Sequence, residues 1–488
     1  MSVEHVFVLM LENRSFDHML GFSGITGTDA ATGQATSIRG LTGKESNAYG
    51  TTAYPVTRGA DWRMPLDPGH EFADVVHQLC GTNTSYPKGG AYPAINNSGF
   101  VASYVTNGGS SAAEIMKCYS PEQLPVLNAL AHEFVVCDQW NASMPGPTWP
   151  NRMFVHGASS GGLDHSPTVG EIALWEGVRG FPLPHGTIFD RLTSKGIKRR
   201  LYGGDDFPMV AALKGVHLSD IRHYSMFASD LQQAGYADQY IFIEPSYDVL
   251  NKYQSGNSQH PLGDVTQGEA LIKQTYEAIR NSPVWNKSLL IVMWDEHGGF
   301  YDHMPPGVAP APEDTATASY NRSGFTFQQY GVRVPALVIS PLIPKNRIDH
   351  RQYDHASVSA TLRAVFGIAP LTNRDLQANS VSALCTLGTP RADTPQTLPA
   401  PATVPAAHMM MAAAVGTTVT APDESVNSGN LPAVVHSAMK QDLALSPPAE
   451  HDAIVARVAS MRTRADAMEY MAEVEAKVRP KRARAAHP

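Results

Sequence analysis

The sequence predicts an α/β fold, with one wide, mostly parallel sheet flanked by helices and a helical appendage at the C-terminal end. Three apolar runs rich in branched residues, at 3–11, 289–294 and 334–340, are typical of strands buried on both faces. Helical stretches lie between such runs, for example at 267–281 and 357–366. Strands that alternate with helices favour a parallel sheet covered on both sides.

Shorter segments complete this prediction. Further strands are expected at 134–137, 200–202 and 240–243, and further helices at 122–132, 151–157 and 187–195. Residues 21–69 and 300–333 are rich in Gly, Thr, Ser and Pro and lack a clear period. Long irregular segments of this kind are often lids or substrate loops in enzymes.

Composition excludes several classes of protein. The chain has 488 residues, of which 43% are hydrophobic and 17% charged, so it is not mainly disordered. Its formal net charge of −8 disfavours a general nucleic-acid binder. The 4 cysteines are too few for a disulfide framework or a zinc ribbon, and we expect small buried hydrophobes. A single bridge between Cys80 and Cys118 is left open.

The sequence carries no clear membrane or export signal. No run reaches the roughly 18 apolar residues of a membrane-spanning helix, and no signal peptide is recognisable. We therefore expect a cytoplasmic protein, while an export route that needs no such signal stays open.

We divide the chain into a catalytic domain (1–386), a Pro/Ala-rich linker (387–430) and a helical tail (431–488). Apolar residues at helical spacing predict one amphipathic helix over 452–478, which ends in a basic tip at 479–484. That tip is either a solvated end or a contact to an anionic surface. We expect the whole segment beyond about residue 387 to be dispensable for chemistry.

Two polar residues follow the first strand directly, Glu12 and Asn13. Ligands of open parallel sheets bind beyond the carboxyl ends of the strands. Both side chains can offer hard oxygen ligands there, although Asn13 could equally cap the helix that follows.

Two adjacent carboxylates, Asp295 and Glu296, follow the strand at 289–294. Buried charge without a partner is costly, so a divalent cation is the simplest explanation, with a salt-bridge network as the alternative. Gly298 and Gly299 would let the backbone approach a bound group closely.

A hydroxyl stands just before a predicted helix, at Thr148, with Pro150 suited to the first turn. A helix N-terminus attracts phosphate. A hydroxyl at that position can attack phosphorus once a metal or base lowers its pKa. The alternative is a plain Thr cap.

Several histidines lie beside turn or helix-start residues, including His70, His260 and His355. Histidine suits proton transfer near neutral pH. Each could also be a purely structural side chain.

Taken together, these segments resemble the phosphoesterase family that contains bacterial phospholipases C, plant non-specific phospholipases C and a bacterial acid phosphatase, a branch of the alkaline phosphatase superfamily. Six segments carry the resemblance in one order along the chain. They lie at 12–21, 66–72, 146–159, 259–269, 294–303 and 353–367. The region after about residue 386 lies outside it.

The resemblance implies one divalent metal ion, Mg, Ca, Mn or Zn, and a covalent phosphothreonine. The implied metal ligands are Glu12, Asn13, Asp295 and Glu296. Thr148 is the implied nucleophile, and His70, His260, His303 and His355 are assigned to catalysis. Asn151, Arg152 and His297 are assigned to binding the phosphate.

The expected reaction is phospholipase C-type cleavage of phospholipid to diacylglycerol and a phosphorylated head group, with peripheral membrane contact. The alternatives are an acid phosphatase acting on small phosphomonoesters and a non-catalytic binder of phosphate or lipid head groups. Leu262 and Gly263 replace the Pro-Ser/His of many relatives, which leaves the choice of substrate open.

Overall fold

The structure, a computed structural model, describes residues 2–175, 180–314, 320–405 and 422–486, with side chains up to residue 478. The strands are β1 (His5–Leu11), β2 (Thr26–Asp29), β3 (Ala35–Ser37), β4 (Ser46–Tyr49), β5 (Thr52–Pro55), β6 (Thr57–Arg58), β7 (Lys117–Cys118), β8 (Val135–Cys137), β9 (Arg199–Gly203), β10 (Ile221–His223), β11 (Tyr240–Glu244), β12 (Ser288–Trp294), β13 (Ala336–Ile339) and β14 (Arg347–Asp349). The helices are α1 (Phe16–Leu20), α2 (Phe72–Cys80), α3 (Phe100–Thr106), α4 (Pro125–Glu133), α5 (Thr148–Gly157), α6 (Val169–Trp175), α7 (Ile188–Ser194), α8 (Phe227–Leu231), α9 (Val265–Arg280), α10 (Ala356–Phe366), α11 (Asn373–Gln377), α12 (Leu431–Leu445), α13 (His451–Ser460) and α14 (Arg464–Ala486).

One sheet of 10 strands forms the centre of the molecule, in the order β10-β9-β11-β1-β12-β13-β8-β14-β2-β3. Strand β1 runs parallel to both of its neighbours, β11 and β12. Strand β13 is antiparallel to β12 and β8. Every residue of β1 and β12 is buried, because both faces of these strands are covered. The prediction of a wide, mostly parallel sheet flanked by helices is confirmed.

Several of the longer predicted elements agree with the structure. The predicted strand at 289–294 is β12 and the predicted helix at 267–281 is α9. Helix α5 begins earlier than predicted, because Thr148 is itself the first helical residue and Pro147 the N-cap. The segment 21–69, expected to be irregular, contains the short strands β2 to β6.

The predicted single helix over 452–478 is wrong, because the structure has two helices, α13 and α14. Side chains at the start of α14 explain the break. The backbone N–H groups of Arg462 and Thr463 donate to the Asp466 carboxylate at 2.8 and 2.9 Å. The Asp466 N–H donates in return to the Thr463 hydroxyl at 3.2 Å. Such a reciprocal cap favours a new helix start at this point.

The C-terminal helices pack on the catalytic core. Leu431, Val435 and Met439 of α12 and Val458 of α13 are buried in the same hydrophobic cluster as the strands of the central sheet. The proline-rich stretch before them lies along α9, where the Leu398 carbonyl accepts from Lys273 at 2.5 Å. The division at residue 386 stays a prediction, but the tail shares its core with the rest of the chain.

Three smaller expectations concern the cysteines, membrane-spanning helices and the linker with its basic tip. All four cysteines are free, so Cys80 and Cys118 are not bonded to each other. Among the described residues, no helix combines the length and apolar character needed to cross a membrane. The linker residues 406–421 and the side chains of the basic tip at 479–484 lie outside the described part of the chain.

Candidate active site

The ends of two neighbouring parallel strands bring the four predicted metal ligands together. β1 leads into Glu12 and Asn13, and β12 leads into Asp295 and Glu296. The Asn13 N–H donates to Asp295 Oδ1 at 2.9 Å, and the Asn13 side-chain amide donates to Glu296 Oε1. Asn13 has a φ of 56°, a left-handed conformation that Asn tolerates better than most residues. The chain therefore turns sharply where β1 ends.

Thr148 lies beside this group, in the first turn of α5. It is 2% exposed, and its Oγ1 is 3.5 Å from the Asn13 amide nitrogen. Because backbone N–H groups in a first helical turn have no partner within the helix, a phosphoryl group near Thr148 would meet free donors. The predicted nucleophile and the predicted metal ligands thus meet in one place.

Asn151 organises the turn that carries Thr148. Its side-chain oxygen accepts from the Met144 N–H at 3.1 Å. Its side-chain nitrogen donates to the carbonyls of Gly146 and Pro147 at 3.0 and 3.1 Å. The amide is thus occupied by the loop before α5, and its assignment to phosphate binding stays a prediction.

Arg152 anchors α5 to three strand ends. Its guanidinium donates to Asp295 Oδ2 and to the Leu11 carbonyl, both at 3.0 Å, and lies 3.5 Å from Glu244 Oε1. These contacts place the positive charge behind the carboxylates, where it offsets their repulsion. A direct contact of Arg152 with phosphate also stays a prediction.

The carboxylates of the site are fully buried, which makes their charge costly. Burial and the Asp295 charge raise the pKa of Glu12 well above its ordinary value. Burial also raises the pKa of Asp295 to about 6, although Arg152 opposes this effect. A cation between these groups would remove the penalty.

Two unpartnered oxygens indicate that the site fits a divalent metal. Glu12 Oε2 and Asn13 Oδ1 are buried and have no hydrogen-bond partner. Both are hard oxygen ligands, which suit Mg, Ca or Mn and are compatible with Zn. The donor set of Glu12, Asn13, Asp295 and Glu296 therefore matches the implied cofactor.

A second acidic cluster, formed by Asp17, Asp302 and His303, has ligand atoms within 4.8 Å of one another, the one such group in the described ranges. Arg333 already supplies positive charge there, with contacts of 3.0 Å to Asp17 and 2.9 Å to Asp302. This cluster is therefore an ion-pair network. The oxygens of Glu12, Asp295 and Glu296 are more widely spread, so a cation would have to draw them together.

His70 and His260 share Asp67 as a neighbour. His70 Nδ1 donates to the Pro68 carbonyl at 2.7 Å, and its Nε2 is 3.5 Å from the Asn13 amide nitrogen. Burial opposes the charged form of His70, but Glu296 and Asp67 together raise its pKa to about 10. Its second N–H is then free to face a phosphoryl oxygen.

His260 is held as a neutral ring. Its Nδ1 accepts from the Leu262 N–H at 3.2 Å, and its Nε2 lies 3.5 Å from Asp67 Oδ2. Burial lowers its pKa. The ring stacks on Tyr253, with centroids 3.4 Å apart and planes at 3°. Asp67 and Tyr253 were missed as site residues, although Asp67 lies inside the matched segment 66–72.

His355 supports the site from behind. Trp140 Nε1–H can only donate, so His355 Nδ1 accepts this bond at 3.3 Å. The Nε2–H of His355 must then donate to the Asp295 carbonyl at 2.5 Å. Burial lowers the pKa of His355 to about 3, which keeps the ring neutral. In this arrangement His355 orients Asp295, and a role in proton transfer stays a prediction.

The two remaining predicted histidines differ in position. His297 Nε2 is 2.7 Å from Gln78 Oε1, and its Nδ1 is 3.4 Å from Glu296 Oε2. His303 belongs to the ion-pair network, with Nδ1 2.7 Å from Asp17. Burial disfavours the charged ring of His303, but the bond to Asp17 raises its pKa. His297 therefore adjoins the carboxylates, whereas His303 contacts the second cluster.

A further residue of the site comes from the C-terminal segment. Asn430 Nδ2 donates to Glu12 Oε1 at 2.5 Å. No motif in the sequence indicated this contact, and it runs against the expectation that the segment beyond about residue 387 is dispensable for chemistry.

Comparison with known proteins identifies the family of the chain. The model of the phosphoesterase family matches residues 3–369. Non-specific phospholipase C3 of Arabidopsis thaliana is 34% identical over 425 residues, which cover 81% of this chain and 76% of the relative. Phospholipase C B of Mycobacterium tuberculosis is 28% identical over 407 residues, which cover 76% of this chain and 74% of the relative.

Among solved structures, a protein in the alkaline phosphatase superfamily from Vibrio parahaemolyticus aligns over 52% of this chain and 64% of its own, at 16% identity and a TM-score of 0.31. A likeness at this TM-score adds nothing to the assignment. The family model and the curated relatives identify the chain as a hydrolase of phosphoric esters. The chain belongs to the phosphoesterase family.

Proposed function

We propose that this phosphoesterase cleaves phospholipids in the manner of a phospholipase C, through a phosphothreonine formed on Thr148. The observation that carries the proposal is the position of Thr148, in the first turn of α5 and 3.5 Å from the Asn13 amide. A nucleophile, an anion-binding helix start and a set of hard oxygen ligands then share one buried site.

The proposed cofactor is one divalent metal ion held by Glu12, Asn13, Asp295 and Glu296. When bound, such an ion polarises a phosphoryl oxygen and lowers the pKa of a nearby hydroxyl. The unpartnered oxygens of Glu12 and Asn13 support this assignment.

The chain's own groups account for the two transfers of the phosphoryl group. Thr148 Oγ1 gives up its proton to a proton carrier and forms a bond to phosphorus as the bond from phosphorus to the glycerol oxygen breaks. The glycerol oxygen takes up a proton from a proton carrier. Diacylglycerol leaves. Water then gives up a proton to a proton carrier and forms a bond to phosphorus, the bond to Oγ1 breaks, and Thr148 Oγ1 takes up a proton again. Free N–H groups at the start of α5 stabilise the phosphoryl oxygens in both steps.

His70 and His260 are the proposed proton carriers. His70 is held by Pro68 through Nδ1, which leaves its Nε2 facing Asn13 and the site. His260 is oriented by Leu262 and Asp67. Because Asp67 adjoins both rings, it can stabilise whichever of them carries the positive charge.

Relatives named non-specific phospholipase C3 and phospholipase C B support a phospholipid substrate. The leaving group is then diacylglycerol, so the protein has to meet a lipid surface.

Purified protein should be assayed on dispersed phosphatidylcholine and on p-nitrophenyl phosphate at equal concentration, with products identified by mass spectrometry. We expect diacylglycerol and phosphocholine, at a rate above that on the soluble ester. Thr148→Val protein is the control for a contaminating activity. Inorganic phosphate from monoesters with intact phosphatidylcholine would instead identify an acid phosphatase.

A further inference from the structure

The segment that leads into α12 reaches the active site from a distant part of the chain. Asn430 is 4% exposed, and its Nδ2 lies 2.5 Å from Glu12 Oε1, across a separation of 418 residues. Glu12 is a proposed metal ligand, so a C-terminal residue contacts the centre of the site.

The side chain of Asn430 makes this contact instead of the hydrogen bond that would cap its own helix. It stands at the N-cap of α12, yet its side chain makes no capping hydrogen bond. An Asn at this position ordinarily accepts from an N–H of the first turn and so stabilises its own helix. Here the side chain is turned to Glu12, and α12 is left without that cap.

The contact also selects one oxygen of the Glu12 carboxylate. Oε1 is engaged by Asn430, whereas Oε2 is buried without a partner. An amide N–H donates to a carboxylate without neutralising its charge. Lys or Arg at this position would neutralise that charge and so compete with a cation. The arrangement therefore orients Glu12 while leaving its charge and its second oxygen for a metal.

A second bond links Asn430 to the other side of the site. Its backbone N–H donates to Tyr253 Oη at 3.3 Å. The ring of Tyr253 stacks on His260 at 3.4 Å. Asn430 thus contacts both Tyr253, which stacks on a proposed proton carrier, and Glu12, a proposed metal ligand.

The segment is anchored firmly enough to hold this position. Ser437 donates to the Pro208 carbonyl at 2.8 Å, and Lys440 donates to the Leu213 carbonyl at 2.8 Å. Arg464, after α13, donates to the Val249 carbonyl at 2.6 Å. These bonds tie the tail to the loops that surround the site.

We infer that Asn430 is a positioning residue, supplied by the C-terminal segment, that orients Glu12 for the metal and holds Tyr253 against His260. This inference rests on the function proposed above. It makes the C-terminal segment that begins α12 a part of the active site.

The test compares wild-type protein with Asn430→Ser. Ser is an excellent N-cap, so α12 should be kept while the reach to Glu12 is lost. The matched control is Asn427→Ala, three positions earlier, where an exposed Asn accepts from the Val169 N–H at 2.9 Å and also ties the tail to the body. Urea unfolding establishes that all three full-length proteins are folded.

Metal-free samples are titrated with Mn²⁺ by calorimetry, and kcat and KM are measured on p-nitrophenyl phosphate. We expect Asn430→Ser to bind Mn²⁺ about 10- to 100-fold more weakly, as is typical when a group that orients a ligand is lost. Its kcat should fall more than its KM changes. Asn427→Ala should match the wild type in both measurements.

Three outcomes would overturn the inference, and they are distinguishable. Unchanged Mn²⁺ affinity in Asn430→Ser, with a wild type that binds the ion, refutes the role of Asn430 alone. Faster turnover in Asn430→Ser would show that the side chain blocks the site. A folded, active wild type that binds no metal refutes the proposed cofactor, and the inference falls with it.

Discussion

Replacing Arg152 by Met tests whether the position of α5, the helix that begins at Thr148, depends on a buried ion pair. The guanidinium is 6% exposed and lies between Asp295 and Glu244, whose side chains are 0% and 1% exposed. Met keeps much of the apolar stem but removes the charge, so two buried carboxylates lose their common partner. Removing one member of a buried pair typically costs about 3–5 kcal/mol.

The structure puts Arg152→Met at the upper end of that range. The variant also loses the bond from Arg152 to the Leu11 carbonyl at 3.0 Å and the packing of the guanidinium on Tyr247 at 5.1 Å. We therefore expect the free energy of unfolding to fall by about 4–5 kcal/mol. Activity should fall as well, because a misplacement of α5 by about 1 Å can reduce turnover about 100-fold.

The assay is urea unfolding in buffer with a chelator, followed by circular dichroism. Arg457→Met is the control, since the exposed pair of Arg457 with Glu473 should contribute about 1 kcal/mol or less. Adding Glu244→Gln to Arg152→Met should restore part of the loss, because one uncompensated charge is removed. A loss no larger than that of the surface control would refute the reasoning.

Three further predictions concern the chemistry and the pH dependence of stability. Thr148→Val should fold normally and lose at least about 10³-fold in kcat, since binding alone cannot replace a covalent step; near wild-type turnover would exclude this nucleophile. Prolonged chelation should abolish activity and a divalent ion restore it, and Asp295→Ala should lose both metal and activity; elemental analysis that finds active protein without metal would contradict this. Burial raises the pKa of Glu269 to about 8, so its ionisation is easier in the unfolded chain, and stability should fall as pH rises toward that value. In Glu269→Gln, the free energy of unfolding should lack this part of its pH dependence, which is at most about 1.4 kcal/mol per pH unit. Parallel plots of unfolding free energy against pH for the two proteins would count against a raised pKa of Glu269.

The centre of the fold and of the site could be predicted because the rules involved are local or topological. An unbroken apolar run such as residues 5–11 can satisfy its backbone only inside a covered sheet. The rule that ligands bind beyond strand carboxyl ends then placed Asn13 near Asp295, and the two are hydrogen-bonded across 282 residues.

The remaining elements depend on partners that no single segment reveals. Strands β10 and β14 have three residues each, too few for a period to be recognised. The break between α13 and α14 depends on the reciprocal cap at Thr463, which the apolar spacing alone does not report. Asn430 looks like an ordinary N-cap, and only the packing of α12 on the core turns it to Glu12.

The contact between Glu12 and Asn430 also bears on how the enzyme is made. Closing so long a loop is thermodynamically mild, since each doubling of loop length adds only about 0.6 kcal/mol. The contact nevertheless forms late during synthesis. The chain emerges from the ribosome at about 5–20 residues per second, and Asn430 follows Glu12 by 418 residues. A nascent chain with β1, β12 and Thr148 already in place would still lack its last contact for many seconds. The contact that orients Glu12 is therefore absent until residue 430 has left the ribosome.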